Sequence, residues 1–358
     1  MNVAITFNVK PEEESITEPP SSKEELPSEQ QSVLPQISTL YNDVYAEWDS
    51  SETIEAVRGA LAFYHNVTLV EANDTAFDKL KKLRPDIVFN IAEGINGISR
   101  EAQIPAMLDM LNIPYTGSDP LTLATCLDKA RTKEILSYYD IKNPRFITAS
   151  DPDELKEFPL RFPVMIKPVA EGSSKGIFNS SFINNYEELK EAVAVNGRTY
   201  GQPSLIEEFL PGREFTVAII GNGSNACALP IVEINFSELP GGMAPIYSYE
   251  AKWIVDRREN PLEIFTCPAY LEGGLEDKIK SAALRTYKTL RCKDWSRIDI
   301  RLDEEGEPNI IEVNPLPGIL PDPKDNSCFP KAARAAGLDY QQMINQVLYV
   351  SAKRHNLI

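Results

Sequence analysis

The sequence predicts an α/β protein with an open parallel layer at its N-terminus, and three observations carry that prediction. Short apolar runs alternate with helically patterned stretches across residues 1 to 141, the order expected of a parallel sheet covered by helices. The chain has 358 residues, too many for one compact core and suited to roughly two or three domains. Further on, RIDIRLDEEGEPNIIEVNPLPG (297 to 318) sets two apolar-alternating runs around the turn-like EEGEP, the pattern of a β-hairpin.

The elements follow in chain order. MNVAITFNVK lacks a basic leader and a small-residue cleavage site and reads as a first strand. Residues 11 to 36, rich in Glu, Ser and Pro and poor in apolar side chains, bury too little surface to fold alone and read as a disordered or extended acidic loop inserted at the surface. Residues 52 to 64 and 73 to 82 have helical patterning; VTLVEA (67 to 72) and PDIVFNIAEG (85 to 94) read as strands. EAQIPAMLDMLNIP (101 to 114) is a helix that Pro114 stops. LDKARTKEILSYYDI (127 to 141) is another helix, after which PRFITAS begins a new unit. FPVMIKPVAEGSSKGIFNS (162 to 180) reads as strand, loop, strand, and YEELKEAVAVNG (186 to 197) as a helix closing on Gly197. SLIEEFLPGREFTVAIIGNG (204 to 223) is a short strand, a Pro-Gly turn and a longer strand; the C-terminal stretch from Phe329 is mainly helical. No internal repeat is visible.

Composition narrows the function classes. A hydrophobic fraction of 42 % is ordinary for a globular protein. The formal net charge of −17 argues against a nucleic-acid groove or an anionic membrane as partner. It leaves room for nucleotides, which need only a local basic pocket. No apolar run is long enough to span a bilayer. Five cysteines without a CxxC pair suit a reducing cytoplasm, packed apolar roles being expected of them, with Cys328 the one to watch. Only two histidines, His65 and His355, leave little material for a zinc site or a Ser-His-Asp triad.

The hairpin carries the first chemistry. Side chains of a strand alternate faces, so Arg297, Asp299 and Arg301 share one face of the first strand and Glu312 and Asn314 share a face of the second, opposite to Ile311 and Val313. Folding near Gly306 sets Asp299 across from Glu312 and Arg297 across from Asn314. Two directly opposed carboxylates are destabilising, so something positive is expected between them. The competing reading is a surface hairpin with its charges outward. Upstream, EGSSKG (171 to 176) follows the strand that carries Lys167. A Gly-Ser tip leaves backbone N–H groups free to form an anion nest, although such a loop by itself is also an ordinary turn. Lys129 and Lys167, this loop and a carboxylate hairpin together are the parts of a magnesium–nucleotide site, since Mg²⁺ takes hard oxygens from a few carboxylates and from phosphates.

At this point the ordered runs AEGINGISREAQIPAMLDMLNIPYTGSD, LDKARTK, MIKPVAEGSSKGI, LIEEFLPGREFTVAIIG, YSYEAKW, FTCPA, the hairpin and FPKAARAAG resemble the D-alanine–D-alanine ligases and, more broadly, the ATP-grasp carboxylate–amine ligases. The resemblance covers most of the chain from about residue 85. It implies an ATP-grasp fold (α+β in the ATP-binding part) in three domains: 1–118, 119–208 as the central lid and 209–358 as the catalytic domain. It implies ATP with Mg²⁺, two ions, Mn²⁺ being an admissible substitute. By the family pattern Lys129 and Lys167 contact phosphates, and Glu171, Ser173 and Ser174 belong to the small loop over them. Glu207, Glu208, Phe209 and Leu210 form the hinge strand at the adenine, and Glu214 holds the ribose. Lys252, on a longer closing loop, reaches the γ-phosphate. Asp299, Glu312 and Asn314 ligate the metal, which would be the positive partner the hairpin asks for. Arg297 and the Gly318 N–H form an oxyanion site, and Ser327 matches a serine that binds the second substrate's carboxylate, a helix N-cap being its other reading. The implied reaction joins two amino acids through an acyl phosphate with release of ADP and phosphate. Partners are small amino acids or peptides, with no nucleic acid and no membrane; family members are often homodimers.

The departures gather at the substrate end. The family opens with a Gly-Gly-Ser-Ala-Glu type turn whose glutamate anchors the first substrate's amine; here ITFNVKPEEES follows the first strand, with only Glu12 to Glu14 nearby. Trp253 stands where a tyrosine follows the loop lysine, and its indole is a donor only. ILPDPKDNSCFP after PLPG is longer and richer in proline than the usual segment. Three readings compete: a D-alanine–D-alanine ligase, a ligase for other amino acids or peptides in a specialised pathway, and a nucleotide-binding homologue without turnover. A phosphotransferase that stops at the phosphorylated acid is a further alternative, which Arg297 beside the metal set and the PLPG turn disfavour.

Overall fold

Strand β1 (Asn2–Phe7) runs between β2 (Asn66–Glu71) and β3 (Ile87–Asn90) in a parallel sheet of order β2-β1-β3. This computed structural model describes residues 1–11, 45–94, 96–258 and 260–358; the expected acidic loop at 11 to 36 falls almost wholly outside them, as do Glu12 to Glu14. Apolar groups on both faces of a parallel sheet must be covered. Val3 and Ile5 pack beneath helix α1 (Ser51–Ala62) through Ile54, Val57 and Leu61. Ala4 and Val88 face α2 (Ala76–Leu83) and α3 (Gln103–Leu111) through Leu80 and Leu108. Two further helices lead out: α4 (Pro120–Leu127), capped by Asp119 with Pro120 at its first position, and α5 (Lys129–Tyr138), capped by Asp128.

The second sheet is antiparallel, in order β4-β7-β5-β6: β4 (Phe146–Ala149), β7 (Ser204–Glu208), β5 (Val164–Pro168) and the short β6 (Phe182–Ile183). Helix α6 (Tyr186–Tyr200) buries Leu189 and Val193 against Val164, Ile166 and Ile206. In the third sheet β11 (Phe265–Thr266), β10 (Val232–Ile234), β8 (Glu214–Ile220), β12 (Trp295–Leu302) and β13 (Pro308–Asn314) follow one another, and β9 (Cys227–Ala228) also pairs with β8. Alternation along β8 divides its side chains between two cores. Phe215, Val217 and Ile219 meet α7 (Leu275–Thr289) through Ile279, Ala283 and Tyr287. Ala218 and Ile220 join a cluster that also holds Val3, Ile5, Phe89 and Trp295, Phe329 of α8 (Cys328–Ala335), and Met343 and Val347 of α9 (Tyr340–Arg354). The C-terminal helices therefore pack the third sheet onto the N-terminal one, and Asn345 Nδ2 adds a 2.8 Å bond to the Ala60 carbonyl.

Several expectations need correcting. Helix α3 ends at Asn112, left-handed at φ 50°, before Pro114 is reached. Helix α6 runs through Gly197 to Tyr200 and closes on Gly201 at φ 63°, the conformation a helix C-terminus asks of glycine. After the Gly-Ser loop the returning strand is only Phe182–Ile183. Strand β7 ends at Glu208, so Phe209 and Leu210 lie beyond it. Helices α4 and α7 had no counterpart in the sequence reading.

Candidate active site

The hairpin β12–β13 has the expected register, Arg297 opposite Asn314 and Asp299 opposite Glu312, with one irregularity. Ile300 pairs with Ile310, which leaves Ile311 as an extra residue on β13. Such a β-bulge re-aims the strand: Ile311 turns to the cavity side, whereas Ile310 and Val313 stay in the core. Strict alternation fails at that one position.

The opposed carboxylates are neutralised within the protein. Arg297 grips Asp299 with two bonds, Nε to Oδ1 at 3.0 Å and Nη2 to Oδ2 at 2.9 Å, and Asn314 Nδ2 reaches Oδ2 at 3.3 Å. Lys129 Nζ, at the start of α5, stands 2.8 Å from Glu312 Oε1 and also donates to the Glu171 carbonyl. Burial would push the Glu312 carboxyl up, but the ammonium groups of Lys129 and Lys167 outweigh it and hold it at about 2.

Facing the hairpin, Lys167 on β5 donates to Glu207 Oε1 at 2.6 Å, and Lys133 stands 2.8 Å from Oε2. Glu207 is thus held between two buried lysines, whose charges overcome burial and keep its carboxyl at about 2. Lys133 lies one helical turn beyond Lys129, a spacing that puts both on one face of α5 and was overlooked in LDKARTK. Glu208 is committed elsewhere, accepting from Arg145 Nη1 at 3.2 Å and the Arg161 N–H at 3.1 Å. The N–H groups of Glu208 and Phe209 bond to the Arg145 and Pro163 carbonyls; that of Leu210 has no partner among the described residues. Glu214 receives Arg301 Nη1 at 3.0 Å, and burial, partly offset by Arg301, lifts its carboxyl to about 6.

Two loops close over these strands. Ser173 and Ser174 have positive φ angles of 51° and 61°, a conformation costly for residues other than glycine and concentrated at functional sites. The turn is tight: a Cβ on Gly176 would lie 2.4 Å from Pro168 Cγ. Glu47 Oε1 accepts the Gly172 N–H at 2.6 Å while its carboxylate is gripped by Arg100. The second loop contains a π-helical turn, Glu250–Val255, bearing Lys252 and Trp253. The Trp253 indole N–H donates to the Ser173 carbonyl at 3.1 Å, and Ser174 Oγ donates to the Tyr247 carbonyl at 2.9 Å. Burial, aided by Arg297 and Lys10, lowers the Lys252 ammonium to about 8.

These pieces enclose a cavity of about 320 Å³, within the usual range for small-molecule sites. Every residue expected at the site lines it except Lys129, which acts from behind Glu312. Ser327 precedes α8 but does not cap it: its hydroxyl accepts from the Leu320 N–H and donates to the Gly318 carbonyl, both at 3.2 Å. Lys10, Asp49, Glu93 and Glu101 also line the cavity; they lie on separate segments, and no spacing links them in sequence. Cys328 lines it too, its thiol pushed up to about 12 by burial, while Cys227 is exposed rather than packed. Trp295 is fully buried in the core. Among the described residues no three His, Cys, Asp or Glu side chains gather into a metal-sized cluster. The hairpin offers two carboxylates and an amide, an all-oxygen set that fits a hard cation completing its shell with phosphate oxygens.

Residues 136–349 match the family described as "D-ala D-ala ligase C-terminus". The chain belongs to the D-alanine–D-alanine ligase family. This ATP-grasp ligase is 32 % identical to the "Uncharacterized protein y4sG" of Sinorhizobium fredii over 86 % of its own length and 90 % of that protein's. It is 32 % identical to a D-alanine–D-alanine ligase of Bordetella petrii, over 80 % of this chain and 79 % of the relative. The D-alanine–D-alanine ligase of Bacillus anthracis complexed with ATP superposes on it with a TM-score of 0.64 at 21 % identity, covering 100 % of this chain and 99 % of that one. The ligase is thus an ATP-dependent acid–amino-acid ligase in class. No helix among its described residues is long and apolar enough to cross a membrane.

Proposed function

We propose that the chain joins the carboxylate of one amino acid to the amine of a second through an acyl phosphate, in three domains divided near residues 118 and 208. The observation that carries this reading is the hairpin register, which brings Arg297, Asp299, Glu312 and Asn314 onto one cavity with Lys167 and Lys252.

ATP lies between the second and third sheets. Glu207 to Leu210 border the base, with the free Leu210 N–H as the hinge's donor, and Glu214, steadied by Arg301, takes the ribose. Lys167 neutralises phosphate oxygens, Lys129 adds its charge from behind Glu312, and the Ser173 and Ser174 N–H groups cradle the phosphates. Asp299, Glu312 and Asn314 would hold Mg²⁺, two ions by the family pattern, which when bound supplies charge neutralisation to the phosphates. A substrate carboxylate oxygen attacks the γ-phosphorus, the bond to the bridging oxygen breaks and ADP leaves; Lys252 steadies the transferred group. The second substrate's amine then attacks the acyl carbon, loses a proton, and phosphate departs. Arg297 and the Gly318 N–H stabilise the oxyanion, and Ser327 receives the second substrate's carboxylate. The loops joined by Trp253 and Ser174 exclude water from the acyl phosphate. Five free cysteines accord with a reducing cytoplasm as its place of work.

The test is ATP-dependent phosphate release with Mg²⁺, screening single amino acids and pairs, with mass spectrometry of the products. Dipeptide from D-alanine alone makes it a D-alanine–D-alanine ligase like its named relatives; turnover only with other pairs makes it a ligase of changed substrate. Phosphate release without a ligated product overturns the reading.

A further inference from the structure

The wall that the N-terminal unit turns to the cavity is not used by the phosphoryl transfer proposed above, and its charges are unmatched. Lys10 Nζ lies 4.3 Å from the centroid of the Trp253 ring, and Lys252 Nζ lies 5.1 Å from the same centroid. Backbone pairing fixes Lys10 next to Asp49: Val9 bridges Asp49, and the Lys10 N–H donates to the Asp49 carbonyl at 2.9 Å. Yet among the described residues no carboxylate oxygen comes within the 4.0 Å of an ion pair of either ammonium. Past Asp49 the wall continues with Glu93 and Glu101. The nearby guanidinium, Arg100, is occupied by Glu47 at 2.5 Å and Glu171 at 3.3 Å. The wall therefore holds an ammonium lacking an anion beside carboxyl groups lacking a cation. Burial drives each toward its neutral form, lowering Lys10, and raising Asp49 to about 7 against the pull of Lys10 and Glu101 to about 8. A ligand carrying both signs of charge would satisfy both sets.

We propose that the acid-donating substrate is an amino dicarboxylic acid, with one carboxylate at Arg297 for activation, its ammonium against Asp49 and Glu93, and its second carboxylate against Lys10. The inference rests on the ligase reading and names the substrate class of that same cavity. An alanine donor has no group for Lys10. Lys10 is then a specificity-determining residue, steadied by the Trp253 face on which its charge rests.

The experiment uses the full chain with Mg²⁺ and ATP, alanine as acceptor, and alanine, aspartate or glutamate of either hand as donor, following ADP release and product mass. An acidic donor is expected to exceed alanine in kcat/KM by about 10- to 100-fold, the span of a charge-assisted hydrogen bond. Lys10→Met should erase that preference through KM for the donor while KM for ATP holds, and Lys10→Arg should keep it. Should Lys10→Met melt early, Lys10→Gln takes its place. Preference for alanine, or an acidic preference that none of the charge-removing variants alters, overturns the proposal and makes Lys10 a structural companion of Asp49. ADP release without ligated product overturns the ligase reading instead. In that case calorimetric titration of glutamate and alanine into protein saturated with a non-hydrolysable ATP analogue decides the matter: Lys10-dependent glutamate binding supports the inference, and equal binding of the two amino acids sinks it.

Discussion

The two sides of the cavity solve the same electrostatic problem differently. On the side built by the second and third sheets the carboxylates have protein partners, Asp299 with Arg297, Glu312 with Lys129, Glu207 with Lys133 and Lys167, and Glu214 with Arg301, whereas Lys252 has no such partner among the described residues. On the N-terminal side Lys10, Asp49, Glu93 and Glu101 line the same space without such pairs among the described residues. A paired side is already organised for a ligand that never changes, because its side chains need no rearrangement when the charge arrives. An unpaired side waits for the ligand to supply its missing charges, and so discriminates among ligands.

The contrast can be broken most severely at Glu207. Glu207→Gln leaves two buried ammonium groups around a neutral amide, and a destabilisation of about 3–5 kcal/mol, the cost of breaking a buried pair, is expected in denaturant unfolding. The equivalent removal on the other wall, Asp49→Asn, should leave stability at neutral pH nearly unchanged or higher. Next in size is Arg297→Ala, expected to lower kcat by about 10²–10³, as for loss of one oxyanion donor, in steady-state assays of ADP release. Trp253→Phe keeps the ring but removes the donor to the Ser173 carbonyl; loss of about 0.5–1.5 kcal/mol of loop closure should appear as more phosphate released per ligated product. The smallest effect is one of sign. Asp49 and Glu101 have raised carboxyl pKa values, about 7 and 8. The folded state therefore holds their protons more tightly, and their contribution to stability is full below the unfolded value and fades as pH rises through 7 to 8. Glu207, depressed to about 2, contributes above its unfolded value and loses that contribution as pH falls toward 2. Melting temperatures across pH 5 to 9 should thus decline with pH in the parent and decline less in Asp49→Asn; an equal slope in both would remove the N-terminal wall from the account.

The paired side was the legible side. Asp299, Glu312 and Asn314 lie on one hairpin, where a period of two places side chains without any knowledge of the rest of the chain, and the register followed. Ordered motifs singled out Lys167, which lines the cavity, and Lys129, which stands behind Glu312 instead. Lys133 was not legible, because helical spacing alone does not say which lysine finds a buried carboxylate. The N-terminal wall was illegible for a different reason: Lys10, Asp49, Glu93 and Glu101 are brought together by strand pairing and by α9 packing the sheets against each other. In the fold, the parallel N-terminal layer and the two-stranded heart of the third sheet were readable from alternation. The stop of α3 at Asn112 and the passage of α6 through Gly197 were not, since local conformation and packing outweigh the usual breaker residues.

The extra residue at Ile311 has a bearing on how such a protein can diverge. Because the bulge inserts one position between Ile310 in the core and Glu312 in the cavity, what must be inherited there is a count, not a side chain. Exchanges at 311 among residues of similar bulk leave the rest of β13 facing as it does. Loss or gain of a single codon would turn Glu312 and Asn314 inward and Val313 outward, exchanging their faces in one step. Drift along this strand is therefore open to substitution and closed to changes of length.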